Sequence, residues 1–176
     1  MGSLFPTVRT DSAYTIDYKK LYELGIRGII FDIDNTLVPH DAPADGRSRA
    51  LMGQIHEAGI KTVILSNNGQ RRVKSFADDV GCAYIFKAAK PKSEGFLLAM
   101  KKMGTAKKST VLIGDQLFTD VWGASNAGIR SILVRRISFH ERYYIHLKRI
   151  LEYIIMIFYP AVRIIRKKDA LEGALR

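Results

Sequence analysis

The 176 residues include a single cysteine, Cys82, so no intrachain disulfide framework is available and a reducing compartment suits the chain. Cys82 falls just before an apolar run, the setting of a buried structural thiol. No Cys/His pair stands at metal-ligand spacing, and the four histidines, His40, His56, His140 and His146, receive no role; only His40 lies near enough to the Asp-rich stretch described below for a rim contact. Long hydrophobic runs are missing as well. The uncharged run from Tyr153 to Val162 contains Pro160 and falls well short of the roughly 20 apolar residues that span a bilayer. The N-terminus lacks a basic region followed by an apolar core, so no secretory signal is expected, and Pro6 spoils a myristoylation pattern at Gly2. The expected location is the cytoplasm, peripheral at the inner face of the membrane.

Acidic residues are the scarce charge, 17 against 28 Lys and Arg, for a net charge of +11. The surplus is uneven. Arg135, Arg136, Arg142, Lys148, Arg149, Arg163, Arg166, Lys167 and Lys168 are offset only by Glu141 and Glu152, so most of the excess belongs to the tail. Otherwise the composition is that of a globular chain long enough to bury a core.

What is present is a repeated alternation of short apolar runs and helical patterns. Runs at 26–33, Lys61–Leu65, Ala83–Phe86, Thr110–Ile113 and Ser131–Val134 read as strands. Between them helices are predicted at 47–58, 70–80, 92–103 and 118–127, with Gly59, Gly81, Gly104 and Gly128 as stops. A further short helix is predicted around Ile16–Leu24. The spacing implies βαβ units, a parallel sheet and a three-layer α/β sandwich. The organisation predicted is a lead-in over 1–25, a core over 26–135 and a basic amphipathic helical tail over 136–176.

Ligands in such sheets bind beyond the carboxyl ends of the strands. Four ends carry polar groups: Asp32-Ile33-Asp34-Asn35-Thr36, Ser66-Asn67, Lys90-Pro91, and Gly114-Asp115 with Asp120. Each taken alone reads as a turn, a helix cap or a solvated lysine. Together they are complete for phosphoryl transfer. Two or three carboxylates suit Mg²⁺, a carboxylate can serve as nucleophile, and a second acid two residues on can protonate the leaving oxygen. A lysine with the metal can neutralise the group in transit, and a Ser hydroxyl with backbone N–H groups can bind phosphate oxygens.

In these four motifs the chain resembles the haloacid dehalogenase (HAD) superfamily over about 26–134. The fuller strings beginning at Gly28, Ser66 and Gly114, with Leu4-Phe5-Pro6, resemble its YqeG family of type IIIA phosphatases over about 4–140. The resemblance implies Asp32 as nucleophile and Mg²⁺ ligand, with Asp34 as general acid/base that also ligates through its carbonyl oxygen. Thr36 would hold the turn that places Asp34, Ser66 would bind phosphate with Asn67 at the rim, Lys90 would neutralise the aspartyl-phosphate, and Thr36, Ser66, Asn67 and Lys90 together would form the substrate side. Asp115 would be a further metal ligand and Asp120 a supporting acid. Neither the gap from Asp34 to Ser66 nor that from Ser66 to Lys90 has room for a cap domain, so a HAD-like fold with an open site is expected.

That family is similar to phosphatidylglycerophosphate phosphatases, which implies a phosphorylated lipid head group as substrate. The tail agrees independently: a helix over Tyr143–Phe158 sets Leu147, Leu151, Ile154, Ile155 and Phe158 on one face, widened by Ile150, Tyr153 and Ile157. Arg and Lys flank it, the composition of a segment lying on an anionic membrane. The alternatives for the tail are packing on the sheet, a homodimer through the helix, or nucleic acid. Nucleic acid is the weakest, because the apolar density of 150–158 favours lipid. For the whole chain the alternatives are a capless phosphatase for a soluble phosphomonoester or nucleic-acid end, and a binding module with vestigial activity.

Overall fold

A computed structural model describes residues 2–138, 151–160 and 169–175. Its centre is β2 (Gly28–Phe31), flanked by β3 (Lys61–Leu65) and β5 (Thr110–Gly114), with β4 (Ala83–Ile85), β6 (Arg130–Val134) and β1 (Val8–Thr10) outside them. The order is β1-β6-β5-β2-β3-β4 and every pairing is parallel. The chain leaves β2 toward β3 on one side and enters β5 on the other. The strand order therefore reverses at β2/β5, and a crevice opens beyond their carboxyl ends.

Strand side chains alternate between two cores, as the period of two requires. Ile29, Phe31, Ile64, Val111 and Ile113 face α1 (Tyr18–Glu23), α2 (Gly46–Glu57) and α3 (Gln70–Val80) through Leu21, Met52, Ile55, Val73 and Phe76. Ile30, Val63, Leu65 and Leu112 face α4 (Glu94–Met103) and α5 (Trp122–Ala127) through Phe96, Ala99, Met103 and Ala124. Each such buried aliphatic or aromatic side chain contributes about 1.5–3 kcal/mol. Asp45 starts α2 with a capping box to Ser48, and Gly81 ends α3 in the left-handed conformation. The fold is the expected HAD-like α/β sandwich. Among the described residues no cap domain is evident: only 32–45 separates β2 from α2, and 66–69 separates β3 from α3.

Two predicted segments differ from expectation. The 1–25 lead-in is part of the sheet, since Val8–Thr10 pairs with Ile132–Val134. Three residues are too few to show a period. At the other end, Leu171 and Ala174 are buried in the core beside α1, Asp17 N–H donates to the Ala174 carbonyl, and Ile16 bridges Leu175. The end of the predicted tail thus closes the domain rather than trailing from it. Within the tail, residues 151–157 are helical, and Ile155 and Met156 pack on Leu117, Val121 and Leu133. The expected helix start at Tyr143, the positions Leu147 and Ile150, and all the tail's basic residues from Arg142 to Lys168 lie outside the described residues.

Cys82 is partly buried with its thiol 3.0 Å from the Thr62 hydroxyl, and burial pushes the thiol pKa up against that hydrogen bond. Its sequence context suggested full burial, and the residue is only partly covered.

Candidate active site

β2 ends at Phe31, and Asp32 still joins the sheet through its N–H to the Ile113 carbonyl. The chain then turns sharply. Asn35 adopts φ 62°, and the N–H groups of Thr36 and Leu37 both return to the Ile33 carbonyl. This turn sends Asp32 and Asp34 into the crevice at the end of β2. Segment 136–138 crosses over it, with Ile137 and Ser138 N–H groups donating to the Asn35 carbonyl and side-chain oxygen.

Lys90 is the hub. Its Nζ lies 2.6 Å from Asp32 Oδ1 and 2.7 Å from Asp120 Oδ1, and all three side chains are buried. The Lys90–Pro91 peptide bond is cis. Asn67 holds the Lys90 backbone at both ends: Lys90 N–H donates to Asn67 Oδ1 at 2.8 Å, and Asn67 Nδ2 donates to the Lys90 carbonyl at 3.1 Å. Asn67, expected at the phosphate rim, therefore positions the lysine. The Ser66 hydroxyl accepts from Asn68 N–H. Thr36 donates to Asp115 Oδ1 at 3.3 Å, linking the first motif to the last.

Asp115 follows β5 directly, and Asp120 comes from the single π-helical turn Leu117–Val121. Gly114 makes that approach possible. A Cβ there would stand 2.6 Å from the Asp120 carboxylate, closer than nonbonded atoms approach. Asp120 Oδ2 also accepts from Gln116 N–H.

Carboxylate oxygens of Asp32, Asp115 and Asp120 lie within 4.8 Å of one another, all buried. Three carboxylates against one ammonium leave the cluster short of positive charge, and Asp32 registers it. Burial first, resisted by Lys90 and aided by Asp120 and Asp34, pushes its pKa up to about 7. Burial opposes charge on Lys90, but Asp120 and Asp32 outweigh it and keep the group well above its ordinary value, as an ammonium. A buried, oxygen-only, net-negative cluster fits a divalent cation of the Mg²⁺ kind. Asp32 and Asp115 would hold it with the Asp34 carbonyl. Both Asp120 oxygens are already engaged, by Lys90 and Gln116.

The Asp34 carboxylate is held apart from that cluster by three donors: Asn68 Nδ2, Arg72 Nη2 at 3.0 Å and the backbone N–H of Asp41 at 2.9 Å. One carboxylate thus sits among acids and the other among donors, and a divalent cation beside Asp32 would supply the positive charge that keeps the nucleophile ionised. Arg72, Asn68 and Asp41 are not among the residues that the motifs single out. Asn68 stood inside the Ser66 string, whereas nothing in the spacing of α3 announces that Arg72 reaches back to Asp34. His40 lies beside Asp41, with Nε2 3.4 Å from Oδ2.

Glu152 was unforeseen too. It is buried in the 151–157 helix, and its Oε1 accepts from the N–H groups of Leu117 at 2.8 Å and Phe118 at 3.4 Å. The tail is thereby tied to the turn carrying Asp120. Glu152→Ala leaves those donors without this acceptor and should lower stability by about 1–3 kcal/mol in a denaturant titration; Glu152→Gln should lose less.

That sheet places buried carboxylates and a lysine at one crevice, a set suited to phosphoryl transfer. A family model for haloacid dehalogenase-like hydrolases matches residues 40–128. The probable phosphatase YqeG of Bacillus subtilis is 44% identical over 122 residues, covering 69% of this chain and 71% of that one. An uncharacterized protein from Corynebacterium glutamicum has a similar structure, with a TM-score of 0.51 at 22% identity, covering 72% and 93% of the two chains. The cobalt-bound deoxy-D-mannose-octulosonate 8-phosphate phosphatase of Haemophilus influenzae gives a TM-score of 0.51 at 17% identity, covering 80% and 92%. At these identities the two structures establish fold alone. The chain belongs to the haloacid dehalogenase-like hydrolase family and is a HAD-type phosphatase.

Proposed function

We propose that this phosphatase removes a terminal phosphate from a lipid head group, phosphatidylglycerophosphate, at an anionic membrane surface. One observation carries the reading. The helix tied by Glu152 to the Asp120 turn leaves an apolar face uncovered among the described residues, with Tyr153, Ile157 and Phe158 more than half exposed and Leu151 and Ile154 close to it. An apolar face of that kind beside an uncapped site suits a substrate presented on a surface. Among the described residues no helix is long and apolar enough to cross a membrane, so contact would be peripheral.

The chemistry follows from the two aspartates. An Asp32 carboxylate oxygen attacks phosphorus while the bond to the leaving oxygen breaks, and Asp34 gives that oxygen its proton. The product alcohol departs, leaving an aspartyl-phosphate whose charge Lys90 neutralises. Asp34 then takes a proton from water, whose oxygen attacks phosphorus and releases inorganic phosphate and free Asp32. Mg²⁺, when bound, supplies the positive charge that the three acids lack.

The purified protein should release phosphate from phosphatidylglycerophosphate in anionic vesicles faster than from sugar phosphates or nucleotides at equal concentration. EDTA should stop release and Mg²⁺ restore it. Equal rates on soluble substrates would favour a soluble phosphomonoester, and preference for a phosphorylated oligonucleotide end would favour nucleic acid. Because Leu171 and Ala174 are in the core, truncating the tail would confound folding with membrane contact. The cleaner test is Ile157→Ser with Phe158→Ser, both exposed, which should reduce co-sedimentation with anionic vesicles; undiminished binding would reject the helix as the contact.

A further inference from the structure

Beside Asp34 lies a groove of about 710 Å³ that the hydrolytic steps do not use. Arg71, Arg72 and Lys87 line it against a single acid, Asp41, and Pro43 and Phe86 add apolar wall. Two of these residues touch the Asp34 carboxylate itself, Arg72 through Nη2 and Asp41 through its backbone N–H. The groove therefore starts at the group that protonates the leaving oxygen. Arg72 Nε is also buried without a hydrogen-bond partner among the described residues, an arrangement seldom left unsatisfied.

Whatever Asp34 protonates must lie against Asp34, so a leaving alcohol that extends past Arg72 and Asp41 would enter this groove. Its walls then select among alcohols. Guanidinium groups bind phosphate oxygens through paired N–H donors, Lys87 adds a point charge, and Pro43 and Phe86 accept a short run of carbon. Arg72 is paired with Asp34, so a neutral leaving group would leave Arg71 and Lys87 facing only Asp41, whereas one bearing a phosphate or phosphodiester would balance them.

We propose that this groove is a leaving-group subsite for an alcohol that carries a second phosphate-type anion. The proposal rests on the phosphatase reading and is independent of any membrane contact. A phosphodiester-linked head group and a soluble bisphosphate both present this chemistry, and the experiment tells them apart.

The test uses three water-soluble substrates with Mg²⁺. Glycerophosphoglycerol phosphate carries a phosphodiester on its leaving group, fructose 1,6-bisphosphate carries a phosphomonoester, and glycerol 3-phosphate carries neither. The wild type should show kcat/KM on the order of tenfold higher, or more, for at least one anion-bearing substrate than for glycerol 3-phosphate. Whichever of the two gains identifies the source of the anion. In Arg71→Gln/Lys87→Gln that ratio should collapse toward one, chiefly through KM, with an unchanged thermal midpoint. Both side chains are exposed, so the fold does not depend on them. A wild-type ratio near one, or a ratio unchanged in the double variant, overturns the subsite. Absence of Mg²⁺-dependent release from all three substrates overturns the phosphatase reading, and the subsite with it.

Discussion

Asp32→Asn should abolish Mg²⁺-dependent phosphate release, by about 10⁴-fold or more, because the attacking oxygen is replaced by an amide that cannot form an acyl-phosphate. The same substitution should stabilise the metal-free protein at alkaline pH. The carboxylate is buried among Asp115 and Asp120, and its pKa rises from 3.8 to about 7. Between those values the folded chain holds a proton that the unfolded chain has released. Metal-free stability therefore falls as pH rises through that window, and the loss is complete above about pH 7. Asparagine keeps an acceptor for Lys90 and carries no charge, so the variant lacks this slope. Thermal midpoints in EDTA should separate between pH 5 and 8, with Asp32→Asn ahead at pH 8 and the gap closing toward acid. Residual turnover near wild-type rates would move the nucleophile elsewhere, and parallel pH profiles would remove the charge argument.

The strand ends were legible because each functional residue there stands at a break between an apolar run and turn chemistry. Asp32, Ser66, Lys90 and Asp115 announce themselves by local contrast. Their partners do not. Arg72 lies on an ordinary basic amphipathic helix, and its role depends on reaching across to Asp34. Glu152 enters the sequence pattern only as one of two acids offsetting the tail's basic residues. It is buried because the first N–H groups of the 117–121 turn need an acceptor where the helix crosses them. With Glu152 inward, Ile155, Met156 and Tyr159 turn toward the core, so Ile155 leaves the predicted stripe while Leu151, Tyr153, Ile154, Ile157 and Phe158 of it are exposed. The edge strand Val8–Thr10 and the closing segment Leu171–Leu175 were illegible for a different reason. Each contributes one or two buried side chains, too few for periodicity, and their placement depends on partners more than a hundred residues distant.

Lys90→Met should destabilise the metal-free protein more than any other single substitution in the site, by about 3–5 kcal/mol at pH 8, since it leaves buried carboxylates without their cation. Methionine fills much of the lysine's volume, so the loss reports charge rather than a cavity. Catalysis should drop by at least about 10³-fold, because no ammonium remains to neutralise the phosphorylated aspartate. Two recoveries distinguish this account from simple damage to packing. Lowering the pH protonates Asp32, whose pKa the substitution drives further up, and should restore stability. Adding Asp32→Asn to Lys90→Met should restore it at pH 8, so that the double variant is more stable than Lys90→Met alone, a non-additivity expected only of groups in direct contact. Stability lost equally at pH 5 and pH 8, with no rescue by the second substitution, would mean that the lysine stem and not its charge holds the site together.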